Sequence, residues 1–554
     1  MTTIDSRPDA VAVAPSDSDG DAATAARWIV ELFTSTDHKV TGRLYLGAGL
    51  LGLLVALAVN VALGIERLDG TDATIDPDIL PQLLDAQRMS LIFAGLLPLV
   101  MAGCVAFVPL QVGARSIAFP RLASMGFWTW FGGAVLTAVS LAGNGGTLGS
   151  DADMVDLFIA SIGLMALGLT ATAGSVATTI LTTRAPGMTM RRVPPFTWSA
   201  LVYSLGLILV MPVLFGTITY LFLDHRNGRT GFGGNAGVVE WIGWALTQPM
   251  TLLLAIPVVG LFAEMVPIVA GNRTAVRGFL FGGVALVGVA AFGAITQQSI
   301  QALPWAGSGL NTDDLGSKLE DLVPYLLFNA LPVVGMLLVL LVSMQTARPA
   351  PGSKFTMAPG FLFAFFGFDM IFLAVLGNLL YSVDDVGLQG TVFEEGTLLL
   401  VVYGAALGVM GAVVHWAPKL WGPAIPAAKA APLALLGAGA TTIAAVPLWI
   451  AGFLDQEAGT FYTGDLEVWN IISLVGTVLM LLTVVAFVGL VGTSSRRRDD
   501  SALDDNPFGG QTVEWLTTSP APRDNFVELP VLRSAEPVLD AQTAQTATTA
   551  GSDA

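Results

Sequence analysis

The sequence predicts an all-α polytopic membrane protein with twelve transmembrane helices and both termini cytoplasmic, on three observations. Hydrophobic residues make up 54% of the chain and charged residues only 12%, about half the charged share of a soluble protein. Apolar runs of the length that crosses a bilayer as a helix, about 20 residues, recur at 44–65, 88–110, 124–143, 155–182, 197–223, 238–269, 275–296, 322–344, 358–381, 397–417, 432–453 and 468–492. Basic residues gather in every second loop: Lys39 and Arg43, Arg115 and Arg121, Arg184 with Arg191 and Arg192, Arg273 and Arg277, Arg348 and Lys354, Lys419 and Lys429, and Arg496 to Arg498. Such loops stay on the cytoplasmic side, which also fixes the two ends.

Residues 1–26 form an Ala/Asp/Ser-rich tail without the basic start and apolar core of a secretory signal, so insertion is expected to rely on the first span. The domain this defines runs from 27 to 495, with a cytoplasmic tail from 496 to 554. Gly47, Gly49 and Gly52 in the first span have the spacing of a dinucleotide fingerprint. No strand precedes them, and small residues inside a membrane run read as close helix packing. Cys104 is the only cysteine, which excludes an intrachain disulfide and a multi-thiolate metal site. Asp369 interrupts the apolar ninth run at mid-helix; an acid there costs about 2.5 to 3.5 kcal/mol on insertion scales, so it is expected to meet a partner or water.

The net charge of −17 argues against a nucleic-acid partner. The acid lies largely in the loops opposite the basic ones, including Glu66, Asp76, Asp151, Asp313, Asp384 and Glu394. That outer face would steer in a basic soluble protein.

Several loop motifs are long and specific. Pro109-Leu110-Gln111, Gly113-Ala114-Arg115 and Ala118-Phe119-Pro120-Arg121 follow the second span, which starts near Gln87 and carries Pro98. Ser35-Thr36-Asp37-His38-Lys39 precedes the first. Arg184-Ala185-Pro186-Gly187-Met188 and Pro194-Pro195-Phe196-Thr197-Trp198 join the fourth and fifth, and the tail holds Thr512-Val513-Glu514-Trp515, Ser519-Pro520-Ala521-Pro522 and Asn525-Phe526. Together, over roughly 27–537, these resemble subunit I of the haem-copper terminal oxidases, the cytochrome c oxidase type.

The resemblance implies a twelve-helix fold in which six histidines hold two haems and a copper ion, and oxygen is reduced with electrons from cytochrome c. This chain has three histidines. The low-spin haem ligand position falls on Gln87, the copper positions on Gln248, Gln297 and Gln298, and the paired ligands of the tenth span near Thr397 and Leu399. The proton-delivering glutamate and the cross-linked tyrosine of the sixth span become Met250 and Leu252, and the aspartate that opens one proton channel becomes Ser116. His38 is expected to cap a helix or meet lipid headgroups, His225 to be a solvated loop residue, and His415 falls on a non-ligand position.

From these replacements three readings follow. The first is a degenerate, non-catalytic subunit I-like protein without haem or copper, a structural or regulatory partner among other membrane subunits of an oxidase-like complex in the plasma membrane. The second is a transporter or channel whose polar core is Asp369, Gln248, Gln297 and Gln298. The third is a terminal oxidase, as the resemblance taken whole implies.

Overall fold

The computed structural model describes residues 33–68, 75–76, 78–231, 233, 241–243, 250–289, 323, 325–348, 357–458, 466–496, 504–528 and 531–542, and among these residues twelve long helices carry the fold. They are α1 His38–Glu66, α2 Leu80–Gln111, α3 Pro120–Ala142, α4 Ala152–Thr182, α5 Pro195–Arg226, α6 Met250–Ala270, α7 Arg277–Gly288, α8 Leu326–Thr346, α9 Pro359–Tyr381, α10 Phe393–Trp421, α11 Ala427–Phe453 and α12 Glu467–Ser495. Among the described residues there is no strand, only one isolated bridge between Thr391 and Glu457.

Eleven of the helices are long and apolar enough to cross a membrane. The seventh expected crossing is the exception. Over its described part α7 has 12 residues, about 18 Å of rise, and the remainder of the 275–296 run lies outside the described residues.

Local chemistry sets the helix starts. The Asp37 side chain accepts from Lys39 N at 2.9 Å and opens α1, and Asp151 accepts from Met154 N at 3.0 Å and opens α4, the usual N-cap role of a short acid. Pro120, Pro195 and Pro359 sit in the first turns of α3, α5 and α9, where a missing N–H costs nothing. Inside α2 the proline does cost: Pro98 has no N–H for the Ala94 carbonyl four residues back, and the helix widens to a π-helical segment over Ser90–Leu96. Trp130 Nε1 of α3 donates to the neighbouring Phe93 carbonyl at 2.9 Å.

Small residues then bring the helices together. A Cβ on Gly52 would lie 2.1 Å from the Ala94 carbonyl oxygen, so α1 and α2 touch backbone to backbone there. Gly49 packs on Leu99 of α2, while a Cβ on Gly47 would meet no neighbour within 4 Å. The most apolar stretches of α6 and α10 are wholly buried and that of α2 is 94% buried, against 33% for α3 and 39% for α12. Three helices therefore form the centre, and the others wrap them.

One end of the bundle is closed by the tail. Asn525 Nδ2 donates to Ala114 O at 2.8 Å, Ala521 N to Lys419 O at 3.0 Å and Leu532 N to Pro186 O at 2.9 Å, while Glu536 pairs with Arg277 at 3.0 Å. The start of α1, four interhelical loops and the tail thus share one face.

Candidate functional site

At the end of the bundle away from the tail, α1, α2, α10 and α12 enclose a polar cleft. Asn60 and Arg67 come from α1 and the turn after it, Gln87 from α2, Glu395 and Leu399 from α10, and Asn470, Ser473 and Thr477 from α12. Its interior holds about 30 Å³, room for one or two waters. Arg67 and Glu395 close its mouth with an ion pair of 2.9 Å. Deeper, Asn60 Nδ2 donates to the buried Tyr403 hydroxyl at 3.2 Å, and Asn470 exchanges amide hydrogen bonds with Gln456 at 3.2 and 3.3 Å. Asn60 Oδ1 and Arg67 Nε are buried without a partner, so the cleft has both an acceptor and a donor to offer a bound water.

Two of the positions singled out from sequence meet here. Gln87 and Leu399 line this one cleft from α2 and α10. Thr397 points elsewhere: its hydroxyl donates to Phe393 O at 3.0 Å and accepts from Trp449 Nε1 at 3.0 Å, and the Trp449 ring stacks on Phe393 at 5.0 Å. Leu252 is buried in the core. Gln248, Gln297 and Gln298 lie outside the described residues. Asp369 is on the half-exposed side of α9 and lines neither this cleft nor the apolar crevice between α1, α2 and α10.

The three histidines lie apart from the polar cleft. His38 is buried, not at a headgroup boundary: Nδ1 lies 3.1 Å from Val105 O and Nε2 3.1 Å from Asn525 Oδ1. The cap belongs to Asp37, which frees the imidazole to tie α1 to α2 and the tail. His225 is also not solvated loop; it ends α5, with Nδ1 2.7 Å from Asp156 Oδ1, because α5 continues past the expected boundary at 223. His415 is buried among Trp416, Trp515 and Phe508, with both ring nitrogens unpartnered. Among the described residues no three His, Cys, Asp or Glu side chains group to hold a metal ion.

A second polar cluster sits at the tail end. Gln111 Nε2 donates to Glu264 Oε1 at 2.5 Å and to Glu514 Oε1 at 3.2 Å, and Thr197 Oγ1 donates to Gln111 Oε1 at 2.7 Å. Phe196 N donates to Glu264 Oε2 at 3.0 Å, and Trp416 Nε1 and Thr512 Oγ1 donate to Glu514 Oε1 at 3.1 and 2.7 Å. Burial pushes the Glu514 carboxyl above its usual range, since the charged form loses its hydration.

Gln111 and Glu514 stand in separate sequence motifs that give no sign of their meeting, and the sequence reading missed Glu264 and the cleft's polar wall. A signal for that wall existed. Asn470, Ser473 and Thr477 recur at helical spacing in an otherwise apolar run, which marks one polar face on α12.

This all-helical bundle with two polar ends defines an integral membrane protein of many spans. The family described as cytochrome c and quinol oxidase polypeptide I matches residues 40–296. Cytochrome c oxidase subunit 1 of Bacillus subtilis is 26% identical over 93% of this chain and 83% of that protein. Cytochrome bo(3) ubiquinol oxidase subunit 1 of Buchnera aphidicola is 27% identical over 91% of this chain and 78% of that protein. A heme-copper terminal oxidase dimer solved by cryo-EM shares the fold, with a TM-score of 0.63 and 12% identity over 84% of this chain and 85% of that one. These similarities point to the haem-copper terminal oxidase subunit I family.

These similarities correct the expectation that haem and copper have no place here, because the matched family and the relatives are haem-copper oxidases. The described ligand positions still do not fit the family's imidazole ligation. Gln87 and Leu399 present an amide and an alkyl group to a cleft the size of a water or two, and an amide oxygen is a weak donor to a soft metal. No reaction step is derived through a metal on these residues.

Proposed function

We propose that this chain is a non-catalytic subunit I-like protein, a structural or regulatory partner within a respiratory-type complex of the plasma membrane, with the tail face cytoplasmic. The observation that carries this reading is the cleft. Gln87 and Leu399 come together from α2 and α10, as two ligands to one site would, yet neither side chain carries a ligand to iron. Thr397 is committed to Trp449. By contrast, the tail end keeps its buried hydrogen bonds, as selection for assembly contacts would require.

The orientation rests on Lys39, Arg43, Arg115, Arg184, Arg277 and Lys419, all on or beside the face that the tail closes. Exposed Thr518 and Ser150 lie at opposite ends. T518C is expected to react with an impermeant maleimide only in inverted vesicles, and S150C only in right-side-out cells. The reverse pattern overturns the orientation.

Oxygen uptake by the purified membrane complex, driven by reduced cytochrome c and separately by ubiquinol, tests the lack of catalysis. No uptake attributable to this chain is expected. Turnover abolished by substitutions at Gln87 and Leu399 overturns the reading and favours a working terminal oxidase, the reading to which the relatives' names point. The transport reading rests on Gln248, Gln297 and Gln298, which lie outside the described residues, and on Asp369, which does not line the cleft.

A further inference from the structure

The stripe along α9 that the bundle leaves half-exposed runs Leu362, Phe365, Phe366, Asp369, Phe372, Leu373. The opposite side of α9, including Phe363, Ala364, Gly367, Phe368 and Ile371, is buried against α6, α10 and α11. Asp369 is the eleventh of 23 residues in this helix, near the middle of the bilayer. It has no hydrogen bond or ion pair with any described residue, and neither cavity reaches it. An aspartate at that depth is expensive unless a charge or water meets it, and such groups face protein rather than lipid. The aromatic and aliphatic side chains on both sides of it would pack well against another helix, and Phe365 is 38% exposed.

We propose that this stripe is the docking seam for a transmembrane helix of a companion subunit, and that the partner helix carries a lysine or arginine at mid-membrane to pair with Asp369. The inference rests on the reading of this chain as a member of a membrane assembly and gives that assembly one contact. Charge complementarity selects the partner. A second copy of α9 would set two carboxyls face to face, and lipid would leave the acid without any partner. A basic side chain satisfies it, and the seam then specifies position as well as attraction.

The test uses the full chain in its native membrane. A photo-cross-linking residue is placed at Phe365 or Phe372, with Leu341 on α8, 60% exposed, as a control expected to label lipid only. The expected adduct from α9 is a transmembrane peptide of another subunit with a lysine or arginine within one turn of the attachment point. D369L and D369K should each lower the co-purified companion at least tenfold, and D369K combined with the partner's basic residue changed to aspartate should restore it. Adducts with lipid alone, with a second copy of this chain, or with a helix lacking a basic residue each overturn the proposal. So does an unchanged yield in D369L. If the wild-type chain purifies with no companion subunit at all, the assembly reading itself fails, an outcome distinct from loss of this seam alone.

Discussion

The two polar ends of the bundle differ in how densely their side chains share hydrogen bonds. At the tail end, Gln111 spends its amide on three partners, and Glu264 and Glu514 together accept five hydrogen bonds. At the opposite end, Asn60 Oδ1 and Arg67 Nε stand buried and unpartnered beside a small cavity. A densely shared network holds one geometry even with Glu514 Oε2 left over among the described residues, whereas a sparse one beside a cavity takes water and tolerates change. The first end holds the loop and tail motifs that carry the family resemblance, and the second holds Gln87 and Leu399.

Four changes would break or sharpen that contrast. Q111L leaves two buried carboxyls without a shared donor and should cost about 3 to 5 kcal/mol, read as a lower thermal midpoint in detergent and faster proteolysis of the tail. L399A at the cleft should cost about 2 to 3 kcal/mol, the low end for a buried leucine, because water can enter the space it leaves.

The third change concerns pH. The folded-state pKa of Glu514 lies above its ordinary value, so its contribution is complete below the unfolded-state pKa and is lost as pH rises through the folded one. Protease access to the tail should therefore increase toward alkaline pH, and E514Q should flatten that dependence. Smallest is R67A: the pair with Glu395 is at the cleft mouth, with side chains 12% and 27% exposed, and its loss should cost about 1 kcal/mol or less. A larger effect from R67A than from Q111L would reverse the comparison.

The membrane fold was legible because composition and run length leave few alternatives, and the family resemblance named Gln87 and Leu399 separately, on two spans that the bundle brings to one cleft. His38 was misread because its partners, Val105 and Asn525, are 67 and 487 residues away, beyond any local pattern. His225 was misread through a boundary error of a few residues that moved it from loop to helix. The polar wall of α12 was hidden by the apolar residues around it, since hydropathy averages over a helix face that only periodicity resolves. The tail cluster escaped for a further reason: three buried groups from α2, α6 and the tail meet only when the bundle has closed.

The bonds between Asn525 and His38, and between Lys39 and the carbonyls of Pro522 and Arg523, join the start of the first described span to the tail that follows the last. A ribosome releases Asn525 only after every helix has been delivered to the bilayer. The clasp therefore acts as a mark of completion: a chain with a missing or inverted span presents its loops on the wrong side and leaves the tail unlatched and open to proteases. Quality control of this protein can thus be read at a single site, in whether the last turns of the chain have found the first.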